Sequence, residues 1–256
     1  MLGLPLAFAA SSAGAQGFEI YDRLDDSVPA GGLRARSLAK APQPPQRHPK
    51  PSDLYGAHPP PVPPEDDPSW RRAQAILDAA PQGGRPYDVA SYFLEATPPR
   101  FQSAWTKASG KGVRYANPLI LLFFMSTNLH PSGDQTPWCS AFADWCLGRV
   151  GISGTHDAGA LSWLRWGEEV WRASDGLPPT SARPGDIAVF RHRGLPGRGH
   201  VAFFRGVTEG DPSSVDVLGG NQLATTRQHI ICVKSYPQDG PLELVSIRTA
   251  PGLRGG

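Results

Sequence analysis

The chain predicts an α+β fold. Helical periodicity fills the first half of its core-forming sequence and short strands fill the second, the two do not alternate, and no internal repeat is visible. In order, the apolar spacing predicts helices over Trp70–Ala80, Tyr87–Ala96, Pro118–Asn128, Pro137–Val150 and Ala158–Glu169, the last with Leu161, Leu164 and Val170 at helical intervals. Strands are predicted over Ile187–Arg191, His200–Val207, Ser214–Leu218 and Ile230–Tyr236. These runs are short, β-branched or aromatic, and separated by turn clusters such as Glu209-Gly210-Asp211-Pro212. The expected architecture is a short-stranded antiparallel sheet packed on the Pro137–Val150 helix.

The 256 residues predict one modest folded domain preceded by poor core-forming sequence. Residues 1–15 carry a short apolar run ending in Ala13-Gly14-Ala15, a signal-peptide cleavage pattern without the usual basic start, the first cation being Arg23. Read as a truncated signal peptide, the run predicts export to the periplasm or outside the cell; the other reading is an apolar tail. Residues 16–68 read as a linker, with prolines dominating from Ala41 to Pro68 and favouring extended polyproline II. A helical lead-in at 69–116 and a main domain at 117–250 follow. The apolar run Leu119–Met125 is far shorter than the roughly 20 residues that span a bilayer, so no transmembrane segment is expected. A net charge of +2 does not suggest nucleic-acid binding. Arg191, His192, Arg193 and Arg198 form a basic loop, read either as solvated surface or as a contact for substrate carboxylates.

Cys139 is the residue with the clearest chemistry. Thr136 and Pro137 suit the N-cap and first position of a helix, which would make Cys139 the third residue, where unpaired N–H groups and the positive end of the macrodipole favour a thiolate. Most free cysteines are simply small buried apolar residues, so a partner base decides the matter. His200 opens an apolar strand after a Gly-rich basic loop, and Asn221 closes the next strand in a polar amide. A thiolate that attacks an amide, an imidazole that takes and returns the proton, and a carboxamide that orients the ring need those three residue types. Backbone N–H groups at the helix start would stabilise the oxyanion, each worth about 3–4 kcal/mol. Such chemistry needs no metal or other cofactor. Three cysteines permit one disulfide, Cys146 with Cys232, or two buried thiols beside Cys139. Zinc ligation by Cys139, Cys146 and histidines lacks any recognised spacing.

Several separated blocks carry a resemblance: Asn117-Pro118, Gly133-Asp134, Trp138-Cys139-Ser140-Ala141-Phe142, Gly185-Asp186-Ile187-Ala188-Val189-Phe190, Gly199-His200-Val201 and Gly219-Gly220-Asn221-Gln222. In that order and spacing the chain resembles the CHAP group of cysteine, histidine-dependent amidohydrolases and peptidases. These cleave bacterial cell-wall peptidoglycan on a papain-like fold. The resemblance implies Cys139 as nucleophile, His200 as base and Asn221 as the residue that orients it. Trp138 and Asp134 flank the nucleophile and have two readings, as substrate-binding residues that line a cleft or as a packing indole and an Asx-type turn. The resemblance also implies an N-acetylmuramoyl-L-alanine amidase or a peptidoglycan endopeptidase. Many members carry a glutamate two residues before the asparagine, where this chain has Gly219. That departure motivates the alternative of a non-catalytic wall-binding module of the same fold.

Overall fold

The computed structural model describes Leu54 and residues 61–106, 115–176, 178–224 and 228–254. The leader at 1–15 and the linker reading, apart from Leu54 and residues 61–68, lie outside the described residues.

Each of the first three helices starts at a proline behind a polar cap. In α1 (Pro68–Ala79) the Asp67 carboxylate accepts from Ser69 N at 2.8 Å. In α2 (Pro86–Glu95) the Asp88 carboxylate accepts from Arg85 N at 3.0 Å and pairs with the Arg85 guanidinium at 2.8 Å. In α3 (Pro118–Phe123) the Asn117 amide oxygen accepts from Leu119 N at 3.0 Å, and all six residues are buried. Proline suits these first turns because its missing N–H has no partner to lose. The run beyond α3 tightens into a 3-10 turn over Phe124–Ser126, so the predicted helix to Asn128 ends early. Helix α4 is Cys139–Arg149.

A six-stranded antiparallel sheet follows: β1 (Glu168–Arg172), β2 (Ile187–His192), β3 (Gly199–Thr208), β4 (Asp211–Leu223), β5 (His229–Pro237) and β6 (Leu242–Thr249), in the spatial order β1-β6-β2-β3-β4-β5. This is the expected α+β class. Two elements correct the sequence reading. The segment expected as a helix over Ala158–Glu169 is a 3-10 turn at Ala160–Arg165, stopped by Gly167 at φ 57, after which the chain turns into the edge strand β1. Only glycine fits there, since a Cβ would lie 2.2 Å from Thr249 O. Strand β6 was not predicted at all, and it sits inside the sheet between β1 and β2.

Side chains alternate between two cores. Ile187, Val189, Val201, Phe203 and Leu218 face the helices, while Ala188, Phe190, Ala202, Phe204, Val215 and Val217 pack on the opposite face. The helical side is organised around Phe93, which meets Phe123, Phe142 and Trp145 edge to face at centroid distances of 5.2–5.8 Å. The lead-in helices α1 and α2 thus share one core with α4 and the sheet.

Candidate active site

Cys139 is the first residue of α4, not the third, because the cap is Trp138 and the Thr136 hydroxyl is already used in the preceding turn, accepting from Ser132 N at 3.1 Å. The consequence for a nucleophile is favourable, since the N–H groups of the first turn have no partner inside the helix. Cys139 is 2 % exposed, and burial pushes its thiol pKa above the ordinary value; the N–H groups of Val201, Ser140 and Cys139 itself pull the other way. The resting thiol is therefore not the easily ionised group that helix position alone predicts. Desolvation of the anion outweighs three backbone donors.

His200 stands one residue before Val201, the strand residue whose N–H reaches the sulfur. Pairing between β3 and β4 is registered from Phe203 opposite Leu218 onward, so the first residues of β3 hold only β2, and α4 abuts this end of the strand. His200 is 5 % exposed, with its ring among Phe190 and Tyr236 at centroid distances of 6.1 and 5.8 Å. Burial pushes its pKa down to about 4; Lys234 and His229 lower it further, and the Gln222 side chain opposes them. The sulfur and ring are thus brought to one strand end, both neutral near pH 7, and the imidazole is not among the groups that lower the thiol's pKa.

The remaining predicted residues fall into place differently. Asn221 adopts φ 58 inside a bulge of β4, and its carbonyl lies 3.4 Å from His229 Nδ1. Asp134 is wholly buried and holds the chain together: it accepts from Trp105 N, Thr106 N, Thr106 Oγ1 and Asn117 N. Trp138 is also wholly buried, stacked on Phe123 at 6.3 Å, with Gly220 against its face. Neither lines an open cleft, because both are consumed by packing and hydrogen bonding. Gln222, wholly buried beside His200, is the residue the sequence reading passed over. Its signal was the preceding Gly219-Gly220-Asn221, a run that tolerates the left-handed backbone a bulge needs.

Cys139, Cys146 and Cys232 are all free thiols. Among the described residues no group of three or more His, Cys, Asp or Glu could hold a metal ion, and no helix is long and apolar enough to cross a membrane.

The buried titratable groups predict a measurable pH dependence. An unfolded chain protonates histidine near 6.5 and the folded one only near 4, so His200 makes stability fall as pH drops through that window, by about 3 kcal/mol in all. Asp144 on α4 works in the opposite sense. Burial raises its carboxyl to about 6 despite acceptance from His156 N and Thr155 Oγ1, so the folded state holds a proton that the unfolded state releases above 3.8. Its contribution falls by about 3 kcal/mol as pH rises from 4 to 6. The two terms oppose each other over pH 4–6. Denaturant titrations of Asp144→Asn are expected to unmask a loss of about 3 kcal/mol between pH 6.5 and 4 that the wild type hides.

The comparisons accord with this geometry. The family model for the CHAP domain matches residues 131–221, from the loop before Cys139 through His200 to Asn221. Neither the curated proteins nor the solved structures contain a match. At family level a CHAP domain indicates amidase or peptidase activity of the peptidoglycan-hydrolase type. With a cysteine opening the helix, a histidine opening the adjoining strand and the match ending at the bulge beyond them, this chain carries a CHAP-type domain.

Proposed function

We propose that the chain is a peptidoglycan-directed cysteine hydrolase, an N-acetylmuramoyl-L-alanine amidase or peptidoglycan endopeptidase, with Cys139 as nucleophile and His200 as base. The observation that carries the reading is the convergence of α4 and β3: the N–H of Val201 reaches the Cys139 sulfur, and His200 is the residue immediately before it. The proton of the thiol passes to the imidazole as sulfur bonds to the amide carbonyl carbon, and the oxyanion is received by N–H groups at the start of α4. Collapse breaks the C–N bond, the imidazolium gives its proton to the departing amine, and water then hydrolyses the thioester. Because the substrate is cell-wall material, the site of action is outside the cytoplasmic membrane, in the periplasm or the extracellular space.

The reading is tested by incubating the purified full chain with sacculi and following new amino groups together with soluble fragments. Release of both, and trapping of a thioester on Cys139 in acid, is the expected result. A folded protein that releases neither between pH 5 and 9 overturns the reading, and if it also sediments with the sacculi it is the wall-binding module instead. Thiol labelling adds a separate prediction: with burial raising the thiol, iodoacetamide is expected to modify Cys139 slowly at pH 6 and faster as pH climbs past 8.5. Rapid labelling at pH 6 would show a preformed thiolate–imidazolium pair.

A further inference from the structure

Strand β4 breaks its own alternation next to His200. Leu218 packs in the helix-side core, and a Cβ on Gly220 would fall 2.3 Å from Trp138 Cζ3 and 2.9 Å from Phe142 Cβ, so both positions point at the helices. Gly219 points the other way, where a Cβ would lie 2.8 Å from Ala202 Cβ and 3.7 Å from Gln222 Cδ. Strict period-two alternation would send Gln222 back beneath the helices with Gly220. It does not go there. Gly219 pairs with Cys232 and Gln222 with Ile230, so two residues of β4 oppose one of β5, and Asn221 takes the left-handed conformation that the bulge requires. The extra residue moves Gln222 onto the face that carries Ala202 and His200.

On that face the amide is fixed. Gln222 Nε2 donates to Cys232 O and, at 3.4 Å, to Val217 O, which settles which end of the amide is oxygen. Oε1 is left buried without a partner, and so is His200 Nε2. One is an acceptor; the other, in one tautomer of the neutral ring, is a donor. Buried polar atoms left unpaired are expensive, and a short approach would satisfy both at once.

We propose that Gln222, and not Asn221, is the positioning residue of this site: its Oε1 accepts the Nε2–H of neutral His200 and leaves Nδ1 as the nitrogen that takes the proton from Cys139. The inference rests on the reading of His200 as the base. It also accounts for Gly219. A glutamate there would run into Ala202 and into the volume of the Gln222 amide, so the glycine and the glutamine belong together. Asn221 serves the arrangement through its backbone, as one of the few non-glycine residues at ease with positive φ.

The test compares wild type, Gln222→Met and Asn221→Gly as full chains, reading the His200 tautomer from ring 15N shifts at pH 7 and turnover on sacculi. The wild-type ring is expected in the Nε2–H form. Gln222→Met, which keeps the volume and deletes the acceptor, is expected to lose that preference and about 10²–10⁴-fold in turnover, the range over which a misplaced base acts. Asn221→Gly should retain both. A wild-type ring in the Nδ1–H form overturns the proposal even if Gln222→Met does not fold. An unchanged tautomer in folded Gln222→Met, or a tautomer lost in Asn221→Gly, overturns it as well. A correct tautomer pattern in a protein inert toward sacculi would sink the hydrolase reading and leave the positioning intact.

Discussion

Cys139→Ala is expected to lower amide cleavage by about 10⁴–10⁶-fold, the range seen when a covalent nucleophile is removed, while the protein remains folded. The structural loss is small because the residue opens α4 at its N-terminal end, alanine is the best helix former, and only one sulfur atom leaves the core. The sulfur is lost as acceptor for the Val201 N–H, which already lies at the mouth of a strand. Cys139→Ser gives the sharper contrast. The hydroxyl occupies nearly the same volume, but with burial already opposing an anion at this position, an alcohol of much higher pKa gains too little from three backbone N–H groups. Serine is therefore expected to fold as well as wild type and to fail nearly as completely as alanine. The measurements are release of amino groups from sacculi and the thermal midpoint of each variant. Wild-type rates in Cys139→Ala would remove this residue from the chemistry, and a collapsed midpoint in both variants would make it a structural thiol.

Much of this was legible because local pattern and tertiary use agree. The helices around Trp70, Phe93 and Phe142 bury the stripe that their spacing marks out, and the runs Ile187–Phe190 and Val201–Phe204 alternate cleanly between two cores. Legibility fails where pairing, not composition, decides. Glu168–Arg172 is a strand because β6 lies beside it and Glu169 pairs with Arg172 at 2.6 Å and Arg248 at 3.4 Å; its five residues have no period long enough to read. In β6, Leu242, Leu244 and Ile247 do carry a signal, blurred where the register with β2 shifts between Val189 and Phe190. At the site, Cys139 and His200 are marked by their positions at element starts. Gln222 is hidden because one left-handed residue reverses the face of everything after it, and no count of alternation sees that coming. Asp134 and Trp138 adjoin the cysteine in sequence, which leaves cleft lining and scaffold packing equally open, and burial assigns them to the scaffold.

Asp134 consequently predicts a loss of stability rather than of substrate affinity. Its two oxygens receive Trp105 N at 2.6 Å, Asn117 N at 2.9 Å, Thr106 N at 3.3 Å and the Thr106 hydroxyl, tying the segment before α3 and the loop that leads into α4 to one buried point. Asp134→Ala leaves three N–H groups and a hydroxyl without their acceptor at a position that is wholly buried. Each orphaned donor costs about 1–3 kcal/mol, and with partial relaxation the variant is expected to lose about 3–5 kcal/mol, roughly 10 °C or more in midpoint for a domain of this size. Asp134→Asn should be much milder, about 1–2 kcal/mol, because three of the donors converge on Oδ2, which an amide oxygen can replace, while the amide N–H₂ can donate to a threonine hydroxyl that turns acceptor. Denaturant unfolding of the two variants gives the comparison, and activity of the folded fraction gives the control. A variant with unchanged midpoint and raised KM would return Asp134 to the substrate, because a carboxylate that binds only ligand has no part in holding residues 105, 117 and 134 together.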